Sequence, residues 1–160
     1  MTGHDQSQSV LPQDEGETAT KEAARERVLA EARRNNRAGL FAALAAADIT
    51  YVIVAFDGCG DNGQIESIEV RRVADPHIDL PSTDIDWIHA ARETGEPERS
   101  RIPLAEAIET VVYTCLEEKH GGWEIDDGAY GEFAFDVAHR TITLDYYERY
   151  TGTNFSQHEF

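Results

Sequence analysis

The sequence predicts an α+β fold in which two α-β-β units form a mainly antiparallel four-stranded sheet with helices on one face. Three observations lead to this prediction. Helical spacing of apolar residues occurs twice, a pair of short apolar runs follows each helical segment, and turn-forming residues join the runs of each pair. At 160 residues, of which 41% are apolar, the chain fits one globular domain.

The domain boundaries follow from composition. Residues 1–19 are polar, rich in Gln, Ser, Asp and Glu, and have no apolar period, which is typical of a disordered tail. We therefore predict a tail over residues 1–19, a single α+β domain over residues 20–150 and a C-terminal tail over residues 151–160.

The first helix is predicted to begin near Thr20, a candidate N-cap. Val28 and Leu40 belong to its apolar stripe. Asn35 and Asn36 are poor helix formers, so the pattern leaves open one helix with a weak point or two helices in sequence.

The first hairpin is predicted over residues 49–73. Ile49 to Phe56 is β-branched and aromatic, and it is apolar on both faces, as in a central strand. Ile65 to Val73 follows a glycine-rich segment and forms the second strand. Residues 74–101 contain Pro, Asp, Glu, Ser and Thr, and we expect a connecting loop with one short helix, anchored by Ile85, Trp87 and Ile88.

The second unit is the clearest in the sequence. Pro103 suits a first helical turn, and helical spacing of apolar residues continues to Lys119. Glu132 to Val137 and Thr141 to Tyr147 both alternate apolar and other residues, and residues 138–140 provide a tight connection. This pattern predicts the second hairpin.

The net charge of −17 is distributed unevenly. Residues 21–37 hold six Lys and Arg against three Glu, whereas residues 38–160 hold 24 acidic against eight basic residues. A body this acidic repels nucleic acid and anionic membranes, so its expected counterparts are cations or a protein with a basic surface. High net charge also maintains solubility, which remains an alternative explanation.

The chain has features typical of a cytoplasmic protein. No window approaches about 18 consecutive apolar residues, and the N-terminus lacks a secretory pattern. Cys59 and Cys115 are too few for a disulfide framework and lack CxxC spacing. A reducing compartment is therefore the simplest expectation.

Two segments rich in glycine and acidic residues lie between the apolar runs. They are Asp57-Gly58-Cys59-Gly60-Asp61-Asn62-Gly63-Gln64-Ile65-Glu66 and Gly121-Gly122-Trp123-Glu124-Ile125-Asp126-Asp127-Gly128-Ala129-Tyr130-Gly131-Glu132. With Phe133 and Arg140-Thr141-Ile142, they resemble the signatures of an uncharacterised bacterial family of small proteins, a domain of unknown function often found on mobile elements. The resemblance covers roughly residues 36–150 and implies a bacterial source. It implies no activity, cofactor or catalytic residue.

The carboxylates of these segments are candidate metal ligands. Glu66 shares the parity of Ile68 and Val70, so it is expected at the rim of the core side. Oxygen-rich sites suit Ca²⁺, Mg²⁺ or Mn²⁺. The candidate ligands are Asp57, Asp61, Glu66 and Asp126, with Glu124, Asp127 and Glu132 able to complete the cluster. Asp and Gly are also ordinary turn residues, so shaped turns are the structural alternative.

Aromatic residues flank the second acidic segment. Trp123 and Tyr130 beside these charges are typical of a protein interface, whereas the structural alternative for Trp123 is that it closes one end of the core. The candidate functional surface therefore contains Asp57, Asp61, Glu66, Trp123, Glu124, Asp126, Asp127, Tyr130 and Glu132.

Three functional hypotheses remain. The first is a small non-enzymatic interaction or accessory protein that engages a basic partner, with a DNA-mimic inhibitor of a defence nuclease as a subtype. The second is a metal-dependent hydrolase or nuclease that uses the clustered carboxylates, although neither segment contains Lys, Arg or His. The third is a purely structural role for both segments.

Overall fold

The computed structural model describes residues 13–159, with side chains from residue 16 onward. Eight elements follow one another along the chain. They are α1 (Gln13–Ala46), β1 (Tyr51–Cys59), β2 (Asn62–Arg71), β3 (Asp84–Ala90), β4 (Pro97–Pro103), α2 (Leu104–His120), β5 (Ala129–Asp136) and β6 (Thr141–Glu148).

The main sheet has four strands in the order β2-β1-β5-β6, and every neighbouring pair is antiparallel. This confirms the predicted α+β fold with a mainly antiparallel four-stranded sheet. β3 and β4 form a separate two-stranded sheet. Within the described residues, neither helix is long and apolar enough to cross a membrane.

The strand pair β3 and β4 corrects the sequence interpretation of residues 74–101 as a loop with one short helix. Ile85 and Trp87 are buried, whereas Asp84 and Asp86 are exposed, which is the period-2 alternation of a strand. Pro97 and Pro103 lie at the ends of β4, where a missing amide donor is tolerated. The chain therefore inserts an additional hairpin between its two predicted units.

Helix α1 also differs from the prediction at its start. It begins at Gln13, so Thr20 lies inside the helix and donates its hydroxyl hydrogen to the carbonyl of Gly16 instead of capping the N-terminus. Residues 13–19 of the predicted tail are helical, and residues 1–12 lie outside the described part of the chain. Residues 151–159 have no helix or strand.

A tertiary contact explains why α1 continues as one helix through its two asparagines. The buried Asn36 side chain donates to the carbonyl oxygen of Ile88 at 2.7 Å and accepts from the Ile88 amide at 2.9 Å. Both polar ends of the amide are therefore satisfied by β3. This pairing compensates for the low helix propensity of Asn36.

The core lies between one face of the main sheet and the two helices. Phe41 and Leu44 of α1, Ile108 and Leu116 of α2, and the inward residues of the central strands are almost fully buried. The inward residues of β1 and β5 include Val52, Val54, Phe56, Phe133 and Phe135.

The other side of the main sheet is exposed or half-buried, and we call it the open face. It carries the alternate residues of the four strands, as the strand alternation and the pairing register require. They include Tyr51, Ile53, Ala55 and Asp57 on β1, Gln64, Ser67, Glu69 and Arg71 on β2, Tyr130, Glu132, Ala134 and Asp136 on β5, and Thr141, Thr143, Asp145 and Tyr147 on β6.

Candidate functional site

The two glycine- and acid-rich segments lie next to each other in the fold. β1 and β2 are joined by Gly60 and Asp61, whose φ angles of 60° and 64° are those of a tight hairpin turn. The Gly60 amide donates to the Asp126 carbonyl at 2.9 Å, and the Asp61 amide donates to the Glu124 carbonyl at 3.0 Å. We call the turn together with residues 121–128 the glycine-rich end.

The position of the Trp123 ring explains why two residues at this end are glycines. The ring packs against Gly58 and Gly63, where an added Cβ would clash with the ring atoms; at Gly58 the Cβ would lie only 2.6 Å from the nearest ring carbon. The indole is only 8% exposed and meets Phe56 edge-on at 5.3 Å. Trp123 therefore closes one end of the core.

Gly128 is required for a different reason. Its φ is 70°, and a Cβ at this position would overlap the carbonyl of Gly58. The second glycine-rich segment thus crosses the first at backbone distance. Close packing accounts for these glycines.

The remaining candidate residues divide into two places. Asp57, Tyr130 and Glu132 are on the open face, on β1 and β5. The others are at the glycine-rich end or at its border with β2: Asp61, Glu66, Glu124, Asp126 and Asp127. The candidate residues therefore divide between the open face and the glycine-rich end, which meet where Asp127, Tyr130 and Arg149 line one cleft.

Glu66 corrects the parity argument that put it on the core side. The register shifts between Ala55 and Phe56, which pair with Ser67 and Ile65, so Glu66 is the extra residue of a β-bulge. Glu66 is exposed, and its carboxylate accepts a hydrogen bond from Gln64 at 2.8 Å. Gln64 is the register partner of Asp57. The bulge thus turns Glu66 away from the core.

Asp57 is held by a cation that sequence reasoning missed. Arg149 donates to both carboxylate oxygens, at 3.1 and 2.8 Å, and to the Gly58 carbonyl at 3.1 Å. The hydrogen bond to Asp57 is the main reason that the pKa of Arg149 is raised above its usual value. The guanidinium also lies 4.6 Å from the centre of the Tyr130 ring. Because the two partners are 92 residues apart, no local motif indicates this pair.

The four candidate metal ligands are not brought together. Within the part of the chain that the structure describes, no three His, Cys, Asp or Glu side chains form a group able to hold a metal ion. Asp57 instead faces Arg149, and Glu66 faces Gln64. A metal site that uses Asp57, Asp61, Glu66 and Asp126 stays a prediction without geometric support.

Glu124 is the other unusual carboxylate of the glycine-rich end. Its Oε2 is buried and has no hydrogen-bond partner among the described residues. Asp61, Glu117 and Glu118 line the same cleft. Burial, followed by the charges of Glu148 and Glu124, raises the pKa of the nearby Tyr146. This cleft is lined by four carboxylates and one basic residue, Arg33, and it holds one acceptor that the described residues do not satisfy.

Glu132 forms an unusual cross-strand pair on the open face. Its direct partner in the register of β5 and β6 is Asp145, and both side chains are exposed. Across residues 16–159, neither forms an ion pair with a basic side chain. Like charges directly opposite each other destabilise a sheet. The fold therefore keeps two like charges opposite each other on the exposed surface formed by β5 and the edge strand β6.

Two tyrosines lie beside this acidic pair. Tyr130 and Tyr147 are register partners, and their rings stack with centroids 5.0 Å apart and planes inclined by 15°. They are 42% and 54% exposed, respectively. Exposed aromatic rings next to charges are typical of protein interfaces.

The fold and this surface define a class of protein: a small α+β domain whose antiparallel sheet is covered by helices on one side and open on the other. The chain belongs to a family of unknown function, DUF6878, whose family model matches residues 32–160. The resemblance to an uncharacterised family is thereby confirmed. No curated protein and no solved structure gives a significant match.

Proposed function

We propose that this protein is a small acidic, non-enzymatic interaction protein of the bacterial cytoplasm, and that its open face binds a protein with a basic surface. The single observation that carries the proposal is the unneutralised Glu132 and Asp145 pair. A basic partner would neutralise the two carboxylates. The free energy that their repulsion costs the isolated sheet would then be recovered as binding free energy.

Two further features support a protein partner. Tyr130 and Tyr147 offer exposed aromatic area next to the acidic pair, which gives a partner both an apolar contact and a charge contact. The net charge of −17 also steers a basic partner toward the chain at long range. Direct nucleic-acid binding is disfavoured by the same charge.

The experiment compares two double variants with equal net charge. Glu132→Gln with Asp145→Asn removes the acidic pair from the open face. Asp79→Asn with Glu93→Gln removes two exposed carboxylates that lie elsewhere, outside the four strands of the main sheet. Both double variants carry −15 instead of −17, because each loses two negative charges. Any difference between them therefore reports position and not net charge.

The readout is quantitative capture of basic proteins from a bacterial extract by the immobilised chain, followed by affinity measurement with the purified captured protein. We expect one partner whose binding weakens about tenfold or more in the Glu132 and Asp145 variant and weakens with added salt. The control variant should bind as the wild type does. Equal loss in both variants would mean nonspecific charge attraction and would contradict the proposal.

A third variant separates the open face from the glycine-rich end. Asp61 and Asp126 have φ angles of 64° and 56°, a region that asparagine tolerates and alanine does not. Asp61→Asn with Asp126→Asn therefore removes both charges without new backbone strain. If this variant alone loses the partner, the glycine-rich end is the binding surface and the assignment to the open face is wrong.

A further inference from the structure

A cavity of about 430 Å³ lies between α1, β3 and α2, away from the open face. Its apolar lining includes Ala32, Trp87, Val111 and Cys115. Cavities of about 300–1,000 Å³ with apolar walls are typical of sites for small molecules.

Most polar side chains that line this cavity already have partners within the chain, and the lining His89 contacts Ser100 and Glu98. Both ends of the Asn36 amide are bonded to the backbone of Ile88. The Thr110 and Thr114 hydroxyls donate to the carbonyls of Glu106 and Thr110 in their own helix. Burial raises the pKa of the Cys115 thiol, so the thiol is neutral near pH 7. A ligand must therefore present an apolar surface to this interior.

The mouth of the cavity is positively charged, whereas the chain as a whole is negatively charged. Arg33, Arg34 and Arg37 line it, against a single carboxylate, that of Glu118. These are three of only 14 lysines and arginines in a chain of net charge −17. The site therefore concentrates positive charge where the remainder of the protein repels anions.

Arg34 is the arginine available to a ligand. Arg33 pairs with Glu26 at 2.6 Å, and Arg37 donates to the Arg140 carbonyl and lies over the Phe41 ring. Arg34 has no hydrogen-bond or ion-pair partner among the residues with described side chains. Its guanidinium offers a planar set of donors that matches a carboxylate.

We propose that this cavity binds a small apolar molecule that ends in a carboxylate. The apolar part contacts Trp87, Val111 and the neighbouring lining residues, and the carboxylate accepts hydrogen bonds from Arg34. The site is independent of the proposed binding of a basic protein, because it differs from the open face in both location and charge. The volume of about 430 Å³ suits a small molecule.

The test uses octanoate as the probe and 1-octanol as its neutral counterpart. Calorimetric titration at fixed ionic strength should show saturable binding of octanoate and weaker binding of octanol. Arg34→Gln should weaken octanoate about three- to tenfold and leave octanol unchanged, because it removes one charge-assisted contact. The matched control is Arg27→Gln, which removes an exposed arginine of α1 that does not line the cavity.

Cys115 provides an internal reporter of the location. In a Cys59→Ser background, Cys115 is the remaining thiol, and it lines the cavity. Octanoate should slow its alkylation by iodoacetamide, and the protection should weaken in Arg34→Gln. Binding without protection of Cys115, or equal binding of octanoate and octanol, would overturn the proposal. Protection by a Glu-rich amphipathic peptide but not by octanoate would also overturn it and would indicate a peptide groove.

Discussion

The two faces of the main sheet are built from the same strands but differ in burial and in the charge of their residues. On the inner face, Val52, Val54, Phe133 and Phe135 are fully buried against the helices. On the open face, Glu132 is directly opposite Asp145, and stability alone does not explain this arrangement. Packing against the helices therefore determines which residues the inner face can hold, whereas the residues of the open face are free to form a binding surface.

The largest difference is expected when one buried aromatic side chain and one aromatic side chain of the open face are removed in turn. Trp123→Ala should lower the free energy of unfolding by about 3–5 kcal/mol, because the buried indole leaves a cavity beneath Gly58 and Gly63. Tyr147→Ala should cost only about 1 kcal/mol, mainly the lost stack on Tyr130. Urea denaturation of both variants measures the two costs. Similar losses would contradict the division into a packed and an open face.

The next test concerns the glycines that make room for the indole. Gly63→Ala should destabilise the fold by about 1–3 kcal/mol, because the new methyl group overlaps the Trp123 ring and the ring must shift. Gly39→Ala is the matched control. A Cβ at Gly39 in α1 meets no atom within 4 Å, so alanine should stabilise the helix by about 0.5–1 kcal/mol. Opposite signs in thermal unfolding are the expected outcome.

A smaller effect on stability should distinguish Asp136, an open-face carboxylate with several hydrogen-bond donors, from the pair of Glu132 and Asp145. The pKa of Asp136 is lowered because the His139 amide donates to it at 3.1 Å, and the His139 ring and the Tyr51 hydroxyl also donate. A depressed carboxyl pKa contributes stability above the usual value of about 3.8, and this contribution is lost as the pH falls through the lower folded pKa.

Asp136→Asn should therefore be less stable than the wild type at neutral pH, and the gap should close as the pH falls below about 3.8. Chemical denaturation between pH 2 and 7, a range set by the carboxyl titration, measures this gap. The Asp79→Asn control should run parallel to the wild type, since Asp79 is exposed and makes no ion pair in the described part of the chain. A constant gap across the range would mean that the carboxylate is not preferentially stabilised in its ionised form.

The inner face could be predicted from the sequence because burial leaves a periodic signal. The alternation in Glu132 to Val137 identified β5, and helical spacing after Pro103 identified α2. The same signal is too short in Asp84 to Trp87 to decide the element, because a run of only four alternating residues among prolines also suits a short helix.

The open face left far less for sequence reasoning to detect. The pairing of Asp57 with Arg149, and of Glu132 with Asp145, depends on strand order and register, which no local pattern encodes. A single bulge also reversed the expected direction of Glu66, because one extra residue changes the parity of a strand. The sequence therefore singles out the acidic residues of both segments, but which of them lie next to each other depends on the fold.

The smallest expected effect is the most direct test of the repulsive pair. Glu132→Gln should raise the free energy of unfolding by about 0.2–1 kcal/mol, because it removes a like-charge contact with Asp145. Asp145→Asn should give a similar gain, and the double variant should gain less than the sum, since either substitution alone already relieves the repulsion. The gain should shrink as salt is added. Additive effects would mean that the two carboxylates do not interact. The proposal that the open face binds a basic partner would then lose its main support.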